Sequence, residues 1–314
     1  MTRLLRAADV RSLITPGDAL DAVRSAFVRL EAGEATVPQI MDFEFPGGEA
    51  HVKGAWLHGD RFWSVKAASG FTGVGSSGVS VVISASDGRL AAVVMDGGLL
   101  TELRTAAAGA LAASLLALPE LEQVCVVGAG GQAGFQVEAL LEVRPVSRVV
   151  VWARRVEQAA ECAAELSARF GVAAAGVSDL EPAVRGSQLV VTVTPSREPL
   201  VRSGWLSPGA HLTAVGSDMP GKQEVEAGVL GAADLVVADH PPVAAVNGEL
   251  QHALAAGAVR LEDVVALGRL PHRRSENDVT VCDLVGIGVQ DAAIAGLLVE
   301  RAEARDAGVV LAAG

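Results

Sequence analysis

The sequence predicts an α/β protein of two domains, one built on a doubly wound parallel sheet and the other of the α+β class. From about residue 121 to about residue 240, short apolar strand patterns alternate with helical patterns, as they do in a parallel sheet with helices on both faces. Residues 36–100 instead contain short segments with period-2 patterning, punctuated by Pro38 and by a turn at residues 46–48. These segments indicate a mostly antiparallel sheet.

The composition of the 314-residue chain fits this class and argues against others. Half of the residues are hydrophobic, which suffices for a large core, and tyrosine is absent. A net charge of −12 argues against nucleic acid and anionic membranes as partners. Cys125, Cys162 and Cys282 have no metal-ligand spacing and are expected to be reduced. The six histidines show no metal-ligand spacing either, so no metal is expected.

The N-terminus carries Arg3, Arg6, Asp9 and Arg11, so it lacks the apolar core of a signal peptide. The longest uncharged, apolar-rich run that suits a helix, residues 105–119, is too short to span a bilayer. We therefore expect a cytoplasmic protein without a membrane segment.

The elements of the N-terminal part follow from local patterns. The first 35 residues are expected to be helical, with Thr15 and Asp18 as a capping box at the start of one helix. Strands are predicted at residues 51–53, 62–66, 79–83 and 90–95, with a flexible glycine-rich loop at 70–78 and a hairpin turn at 86–88.

The rest of the chain alternates helices and strands. A helix is predicted at residues 99–118, and strands at 124–127, 149–152, 189–194, 211–216 and 235–238 are separated by helices that begin at Gly131, Val156 and Asp179. A last helix at about 290–307 is expected to return to the N-terminal part. We therefore predict one domain from residues 1–118 with 285–314, and a second from residues 119–284.

Residues 124–141 carry the most specific local pattern. A buried strand pattern is followed by an apolar-periodic helix, and the turn between them is Gly128-Ala129-Gly130-Gly131-Gln132-Ala133. This order places backbone N–H groups and the positive end of a helix where they can bind a pyrophosphate. G-x-G-x-x-A alone is also typical of an ordinary tight turn, but the strand-turn-helix context favours a Rossmann-type, dinucleotide-binding sheet.

The second strand of this sheet indicates which dinucleotide is bound. A carboxylate at its end would bind the ribose 2′-hydroxyl of NAD, but Arg154 and Arg155 follow instead. An arginine here can pair with a 2′-phosphate, so NADP(H) is expected as the preferred cofactor, with NAD(H) as the alternative. The alternative structural interpretation is a solvated arginine pair at a helix start.

Several motifs occur in an order and spacing that resembles the ornithine cyclodeaminase/μ-crystallin family. They are LRTAA at residues 103–107, GAGGQA at 128–133, AVGSD at 214–218 with GKQE at 221–224, and DLVG at 283–286 with QD at 290–291. The resemblance covers nearly the whole chain and implies a nicotinamide-dependent enzyme that forms a homodimer through its N-terminal domain. Residues 1–118 with 285–314 would then be the substrate-binding and dimerisation domain, and residues 119–284 the Rossmann NAD(P)-binding domain.

The same resemblance implies roles for individual residues. Arg104 would bind the substrate carboxylate, Thr105 would contact the cofactor phosphate, and Lys66 would be the catalytic lysine that donates or accepts a proton. Asp218 would take a proton from the substrate amine, and Ser77 would help to hold the carboxylate. These roles suit the residue types, because guanidinium binds carboxylates through two bonds and a lysine in a dry pocket has a lowered pKa.

Each of these residues also has a structural alternative. Arg104 also fits a structural arginine, Lys66 a surface lysine at a strand end, and Asp218 a loop-capping aspartate. Lys222 and Glu224 fit a solvated loop pair at least as well as a functional one.

The remaining cofactor contacts are expected at the ends of the later strands, where ligands bind in open α/β sheets. The residues expected there are Thr192, Thr194, Val215, Gly216, Val285 and Gly286.

Two positions depart from the family pattern and bear on the substrate. Many members have a carboxylate-binding arginine two residues after the proline at position 38, where this chain has Ile40. Ornithine cyclodeaminases have a glutamate that binds an amino group of the diamine, where this chain has Lys53. Because a lysine repels an ammonium, we expect a substrate with an extra anionic group. Lys53 would bind the α-carboxylate or a second carboxylate, or alternatively point to solvent.

Three functions are consistent with these observations. The first is an NAD(P)H-dependent imine reductase or amino-acid dehydrogenase, which transfers hydride between nicotinamide and the Cα of a small imino or amino acid. The second is a cyclodeaminase that uses bound NAD and releases ammonia. The third is a binding protein for NADP(H) or a small ligand without activity. Lys53 disfavours the second function, and the presence of Lys66, Arg104 and Asp218 together argues against the third, so the first is expected.

Overall fold

The structure, a computed structural model, describes residues 1–71 and 73–311, except for the side chain of Ser76. The chain divides into two compact units, Met1–Arg104 with Ile287–Gly314, and Thr105–Gly286. The first division falls inside a helix, whereas the predicted domain boundary follows residue 118. The predicted domain bounds, and the substrate-binding and cofactor-binding functions predicted for the two domains, remain a proposal.

The elements of the first unit belong to one large sheet and the helices that accompany it. Its helices are α1 (Ala7–Leu13), α2 (Pro16–Glu31), the first turns of α3 (Leu99–Leu116), and α10 (Gly288–Arg305). Its strands are β1 (Thr2–Arg6), β2 (Ala35–Thr36), β3 (Met41–Phe45), β4 (Gly48–Leu57), β5 (Phe62–Phe71), β6 (Gly75–Ser84), β7 (Leu90–Met95) and β18 (Val309–Leu311).

The sheet of the first unit is mostly antiparallel, as predicted. Its order is β18-β1-β7-β6-β5-β4-β2, with β3 beside β4, and β1 with β7 is its parallel pair. α10 packs against β4, β5 and α2 and buries Ile294, Leu298 and Val299 completely. The C-terminal helix therefore returns to the N-terminal part, and the capping box of Thr15 and Asp18 begins α2 as expected.

Two local predictions for this unit are wrong. Residues 2–6 form β1 rather than a helix, because they pair with β7 and β18, which lie far away in the sequence. Residues 70–78 are not a flexible loop, since β5 continues to Phe71 and β6 begins at Gly75; Thr72 lies outside the described residues. Pairing between the two strands supplies backbone hydrogen bonds that glycine content does not predict.

The second unit alternates strands and helices. Its strands are β8 (Leu121–Val127), β9 (Val146–Trp152), β10 (Ala173–Val177), β11 (Leu189–Thr192), β12 (Arg197–Val201), β13 (His211–Ala214), β14 (Gln223–Val225), β15 (Leu235–Ala238), β16 (Val265–Ala266) and β17 (Thr280–Asp283). Besides the rest of α3, its helices are α4 (Gly131–Leu141), α5 (Val156–Phe170), α6 (Leu180–Arg185), α7 (Ala227–Gly231), α8 (Pro241–Asn247) and α9 (Leu250–Ala255).

The main sheet of this unit is parallel throughout and confirms the predicted doubly wound fold. Its order is β10-β9-β8-β11-β13-β17-β15-β16, and β12 pairs with β14 separately. The chain order runs in opposite directions on the two sides of β8, so β8 lies at the point where open α/β sheets bind ligands. The alanine-rich β10 and the short β17 were not predicted, because neither has a long β-branched run.

Helix α3 begins before the uncharged run at residues 105–119 that the sequence indicated, and with 18 residues it is long and apolar enough, by length and composition, to cross a membrane. However, 72% of it is buried inside the protein, as in the core helix of a soluble protein.

Candidate active site

The first unit buries a row of polar side chains on one face of its sheet. Lys53 on β4, Lys66 on β5 and Ser80 on β6 lie directly opposite one another on neighbouring strands. Their exposed fractions are 4%, 3% and 6%. Burial of two lysines is costly unless anionic groups accompany them.

The anionic partner of Lys66 comes from α10. Its Nζ donates a hydrogen bond of 2.9 Å to Oδ1 of Asp291, and both side chains are buried. Burial, followed by the charge of Arg104, lowers the pKa of Lys66 from 10.5 to about 7, although Asp291 acts in the opposite direction. Lys66 can therefore donate or accept a proton near neutral pH. The alternative of a surface lysine is wrong.

Arg104, on α3, binds the same aspartate. Its Nε donates to Oδ1 of Asp291 over 3.1 Å, and its Nη1 donates to Oε1 of Gln290 over 3.4 Å. Among the described residues, none forms a hydrogen bond with Nη2. The buried guanidinium therefore keeps a donor for a carboxylate. We call Lys53, Lys66, Arg104 and Asp291 the charge cluster.

Asp291 and Gln290 are site residues that sequence reasoning missed. The QD motif at residues 290–291 was a signal, but nothing local indicates that α10 brings it to Lys66. Within the described part of the chain, Oδ2 of Asp291 and Nε2 of Gln290 are buried without a hydrogen-bond partner. Burial alone would raise the pKa of Asp291, but Lys66 and Arg104 hold that pKa below its ordinary value. Such buried, unsatisfied polar atoms indicate that a polar group binds here.

Two expectations for this unit are corrected by the strand register. Ser77 is exposed on β6 and pairs with Ser69, so side-chain alternation places it on the opposite face of the sheet from Lys66. Ser80 is the serine that the structure brings to the charge cluster. Lys53 is buried, so the alternative in which it points to solvent is also wrong.

In the second unit, the glycine turn follows β8 directly. Gly128 has φ +122°, and a Cβ there would lie 2.9 Å from the carbonyl oxygen of Val193, so another residue would be strained. α4 begins after Gly130 without a side-chain cap or an acidic residue in its first turn. A Cβ at Gly130 or Gly131 would meet only open space. The turn therefore fits the pyrophosphate of a dinucleotide, bound by backbone N–H groups at the start of α4.

The structure brings other predicted cofactor residues close to this turn. Nε2 of Gln136, on α4, donates to the backbone oxygen of Thr105 over 3.2 Å and to Oε1 of Gln132 over 3.1 Å. Thr105 therefore lies beside the first turns of α4. Arg154 and Arg155 are exposed and directly follow β9, the neighbour of β8.

Glu224 connects the predicted cofactor residues on the later strands. Its Oε2 accepts from the Thr192 hydroxyl and the Gly216 N–H, each over 2.7 Å, and its Oε1 accepts from the N–H and hydroxyl of Thr194. Burial raises the pKa of Glu224 although these hydrogen bonds act against the shift. Glu224 therefore holds the ends of β11 and β13 in place.

Asp218 forms an ion pair within its own loop. Nζ of Lys222 donates to Oδ1 of Asp218 over 2.8 Å, and Lys222 is 4% exposed. Lys222 and Glu224 are both buried, so the alternative of a solvated loop pair is wrong. The Lys222 ammonium therefore lies against the Asp218 carboxylate.

Further buried carboxylates, Asp239 and Asp283, lie at the C-terminal ends of β15 and β17 in the parallel sheet. Oδ2 of Asp239 accepts from the N–H of Gly286, and Val285 and Val215 are buried nearby at the ends of β17 and β13. Oδ2 of Asp283 accepts from the N–H of Leu250, whereas its Oδ1 is buried without a partner in the described part of the chain.

Asp283 gives a prediction about stability. Burial raises the pKa of Asp283 to about 8, so its contribution to stability is fully present below pH 4 and is lost as pH rises through about 8. Between pH 6 and pH 9 we expect the wild type to lose about 1–3 kcal/mol more unfolding free energy than Asp283→Asn, which cannot ionise. Urea unfolding at several pH values measures this. Asp179→Asn, at an exposed site, is the control, and parallel curves for wild type and Asp283→Asn would contradict the prediction.

Comparison with known proteins agrees with the motifs. A model of the ornithine cyclodeaminase/mu-crystallin family matches residues 1–306. A Δ1-pyrroline-2-carboxylate reductase of Paracoccus denitrificans is 33% identical, over 89% of this chain and 90% of that protein.

Two solved structures are similar over almost the whole chain. An archaeal alanine dehydrogenase dimer with bound NAD has a TM-score of 0.90 and 31% identity, covering 98% of both chains. The iminosuccinate reductase of Paracoccus denitrificans in complex with NAD⁺ has a TM-score of 0.88 and 26% identity, covering 97% of both chains.

Proposed function

Because the chain belongs to the ornithine cyclodeaminase/mu-crystallin family, we propose that it is an NAD(P)H-dependent oxidoreductase that acts on the C–N bond of a small imino or amino acid. The observation that carries this proposal is the charge cluster, in which a proton-carrying lysine and a guanidinium share one buried carboxylate. The similarity to alanine dehydrogenase and to two imine reductases supports the same reaction class.

The residues of the first unit would bind the substrate and exchange a proton with it. Arg104 binds the α-carboxylate through the donor that Asp291 and Gln290 leave unused. Lys66, as an ammonium, holds a proton at the reacting centre during imine reduction, and as a neutral amine accepts one during amine oxidation. Fixing both groups on rigid elements orients the substrate before reaction.

The residues of the second unit would hold the cofactor. The N–H groups of the glycine turn bind the pyrophosphate, with Thr105 beside it, and the residues held by Glu224 and Asp239 complete the site. Nicotinamide, when bound, supplies or accepts the hydride. Asp218, which is paired with Lys222, takes a proton from the substrate amine.

Reduction of a panel of imines would test this function. Pyruvate, oxaloacetate and other α-keto acids are mixed with ammonia or methylamine, and consumption of NADPH and NADH is followed by absorbance. Cofactor consumption with at least one keto acid, lost in Lys66→Met, is the expected result. Ammonia release from ornithine or lysine without net cofactor consumption would indicate a cyclodeaminase instead. No turnover but tight cofactor binding would indicate a binding protein.

The substrate is proposed to carry an extra anionic group, because Lys53 is buried opposite Lys66. We expect Lys53→Glu to lower kcat/KM for the imine of oxaloacetate by at least about tenfold more than for the imine of pyruvate, since only the first has a second carboxylate. Lys53→Arg, which keeps the charge, is the control. Equal losses for the two substrates would exclude this role for Lys53.

The cofactor is proposed to be NADP(H), because Arg154 and Arg155 are exposed where the 2′-phosphate would lie. We expect kcat/KM to favour NADPH over NADH by at least about tenfold, and the double substitution of both arginines by alanine to remove this preference. Arg148→Ala, an exposed site earlier on β9, is the control. A wild-type preference for NADH would contradict the proposal.

A homodimer in the cytoplasm is the proposed assembly and location. The alanine dehydrogenase structure is a dimer, which supports the first part. Light scattering of the purified protein and fractionation of the source cells test the two parts separately.

A further inference from the structure

A single carboxylate oxygen joins the two functional cations of the first unit. Oδ1 of Asp291 accepts from Nζ of Lys66 over 2.9 Å and from Nε of Arg104 over 3.1 Å. The second oxygen of the same carboxylate has no partner among the described residues. Any movement of this carboxylate would therefore change both cations together.

The position of Asp291 is fixed by close packing of α10. A Cβ at Gly288, in the first turn, would clash with the carbonyl oxygen of Gly54, so only glycine allows α10 to approach β4 this closely. Oε1 of Gln290 accepts from the N–H of Ile287 over 2.9 Å and also from Arg104. The start of the helix and the guanidinium are therefore held by the same oxygen of Gln290.

Charged groups approach Lys66 from three neighbouring elements. Lys53 lies directly opposite it on β4 and Arg104 approaches it from α3, whereas Asp291 is its anionic hydrogen-bond partner from α10. Further along β4, the neighbouring His51 binds Asp42 of β3 over 2.7 Å. A substrate anion bound at Arg104 would add negative charge beside Lys66 and so favour the charged form of Lys66.

We propose that Asp291 is a positioning residue that, through this shared oxygen, holds Lys66 and Arg104 in a fixed relation, so that binding of a carboxylate at Arg104 is linked to protonation of Lys66. The linkage rests on the proposed function of the site. The proton comes from solvent and is held on Nζ of Lys66, and no bond to carbon changes in this step. At a pH between the Lys66 midpoints of the free and the substrate-bound protein, the acid form of Lys66 would then predominate only when substrate is bound.

The lysine content of the chain makes the linkage directly measurable. The sequence has three lysines, Lys53, Lys66 and Lys222, and all are buried. Protein labelled with ¹³C at lysine Cε should therefore give three side-chain signals, assigned with Lys53→Arg and Lys222→Arg. We expect Lys66 to titrate near pH 7 without ligand and at a higher pH with succinate, the probe anion.

Substitution of Asp291 tests the positioning role. We expect Asp291→Asn to lower the titration midpoint of Lys66 by about one to three pH units, because the opposite charge is removed, and Asp291→Glu to restore part of the shift. Asp60→Asn, which removes another arginine partner in this unit, should leave the midpoint unchanged. An unchanged Lys66 midpoint in Asp291→Asn would overturn the proposal.

The titration of Lys66 tests this proposal independently of the proposed function, because the titration needs no enzymatic turnover. If the enzyme is active but Asp291→Asn leaves the Lys66 midpoint unchanged, the proposed function stands and the proposed linkage is wrong. If Asp291→Asn does not fold, the wild type alone decides, since a Lys66 midpoint that succinate does not raise overturns the linkage. In the active enzyme, the linkage also requires that the pH profile of kcat lie at higher pH than that of kcat/KM.

Discussion

Replacement of Lys66 by methionine is expected to lower kcat for imine reduction about 10²- to 10⁴-fold, which is the usual contribution of a positioned general acid. Methionine fills a similar buried volume but carries no proton. Steady-state kinetics with saturating cofactor measure the loss. Lys66→Arg is the matched variant, because arginine keeps the charge but does not give up its proton at neutral pH. A wild-type kcat in Lys66→Met would remove this residue from the chemistry.

The pH dependence of kcat/KM follows from the same lysine, and it has opposite sign for imine reduction and for amine oxidation. The pKa of Lys66 is lowered to about 7 in the free protein. Because reduction needs the ammonium, kcat/KM for reduction should fall as pH rises through about 7. Oxidation of the amino acid needs the neutral amine, so its kcat/KM should rise through the same range. Both limbs should disappear in Lys66→Met.

Replacement of Arg104 by methionine is expected to lower kcat/KM about 30- to 3000-fold, mainly through a higher KM. The variant removes a donor for the substrate carboxylate and leaves Asp291 with one cation instead of two. Arg104→Lys should recover part of the loss, because lysine keeps the charge but cannot bind a carboxylate through a planar fork.

The control for Arg104 is Arg89→Met, since the side chain of Arg89 is largely exposed on the same unit. It should behave like the wild type. Because Arg104 is buried, circular dichroism and thermal unfolding must show that each variant is folded before kinetics are compared. A folded Arg104→Met protein with unchanged KM would contradict the assignment of the carboxylate site.

The fold was predictable where the pattern is local. The strand, glycine turn and helix around Gly128 follow directly from residue order, and the parallel sheet follows from the repeated alternation after it. β1 was not predictable, because residues 2–6 become a strand only through pairing with β7 and β18. The loop predicted at residues 70–78 failed for the same reason, since its backbone groups pair across a hairpin.

The candidate site was predictable in its residue types but not in its connections. The motifs around Lys66 and Arg104 indicate, from the sequence, a proton-transferring lysine and a carboxylate-binding arginine. Asp291 lies 225 residues beyond Lys66, and only the packing of α10 against the sheet brings the two together. The family resemblance assigns Ser77 to the carboxylate site, whereas strand register brings Ser80 to Lys66 instead.

The sequence by itself determined the dinucleotide turn, the alternation of strands and helices around it, and the presence of a lysine, an arginine and an aspartate suited to amino-acid chemistry. These properties depend on short-range patterns and on side-chain type. Only the tertiary structure decided that Lys53 is buried, that Lys222 pairs with Asp218, and that one oxygen of Asp291 serves two cations. Burial and charge pairing arise from elements that are distant in the chain, and they decide which protonation states the site can use.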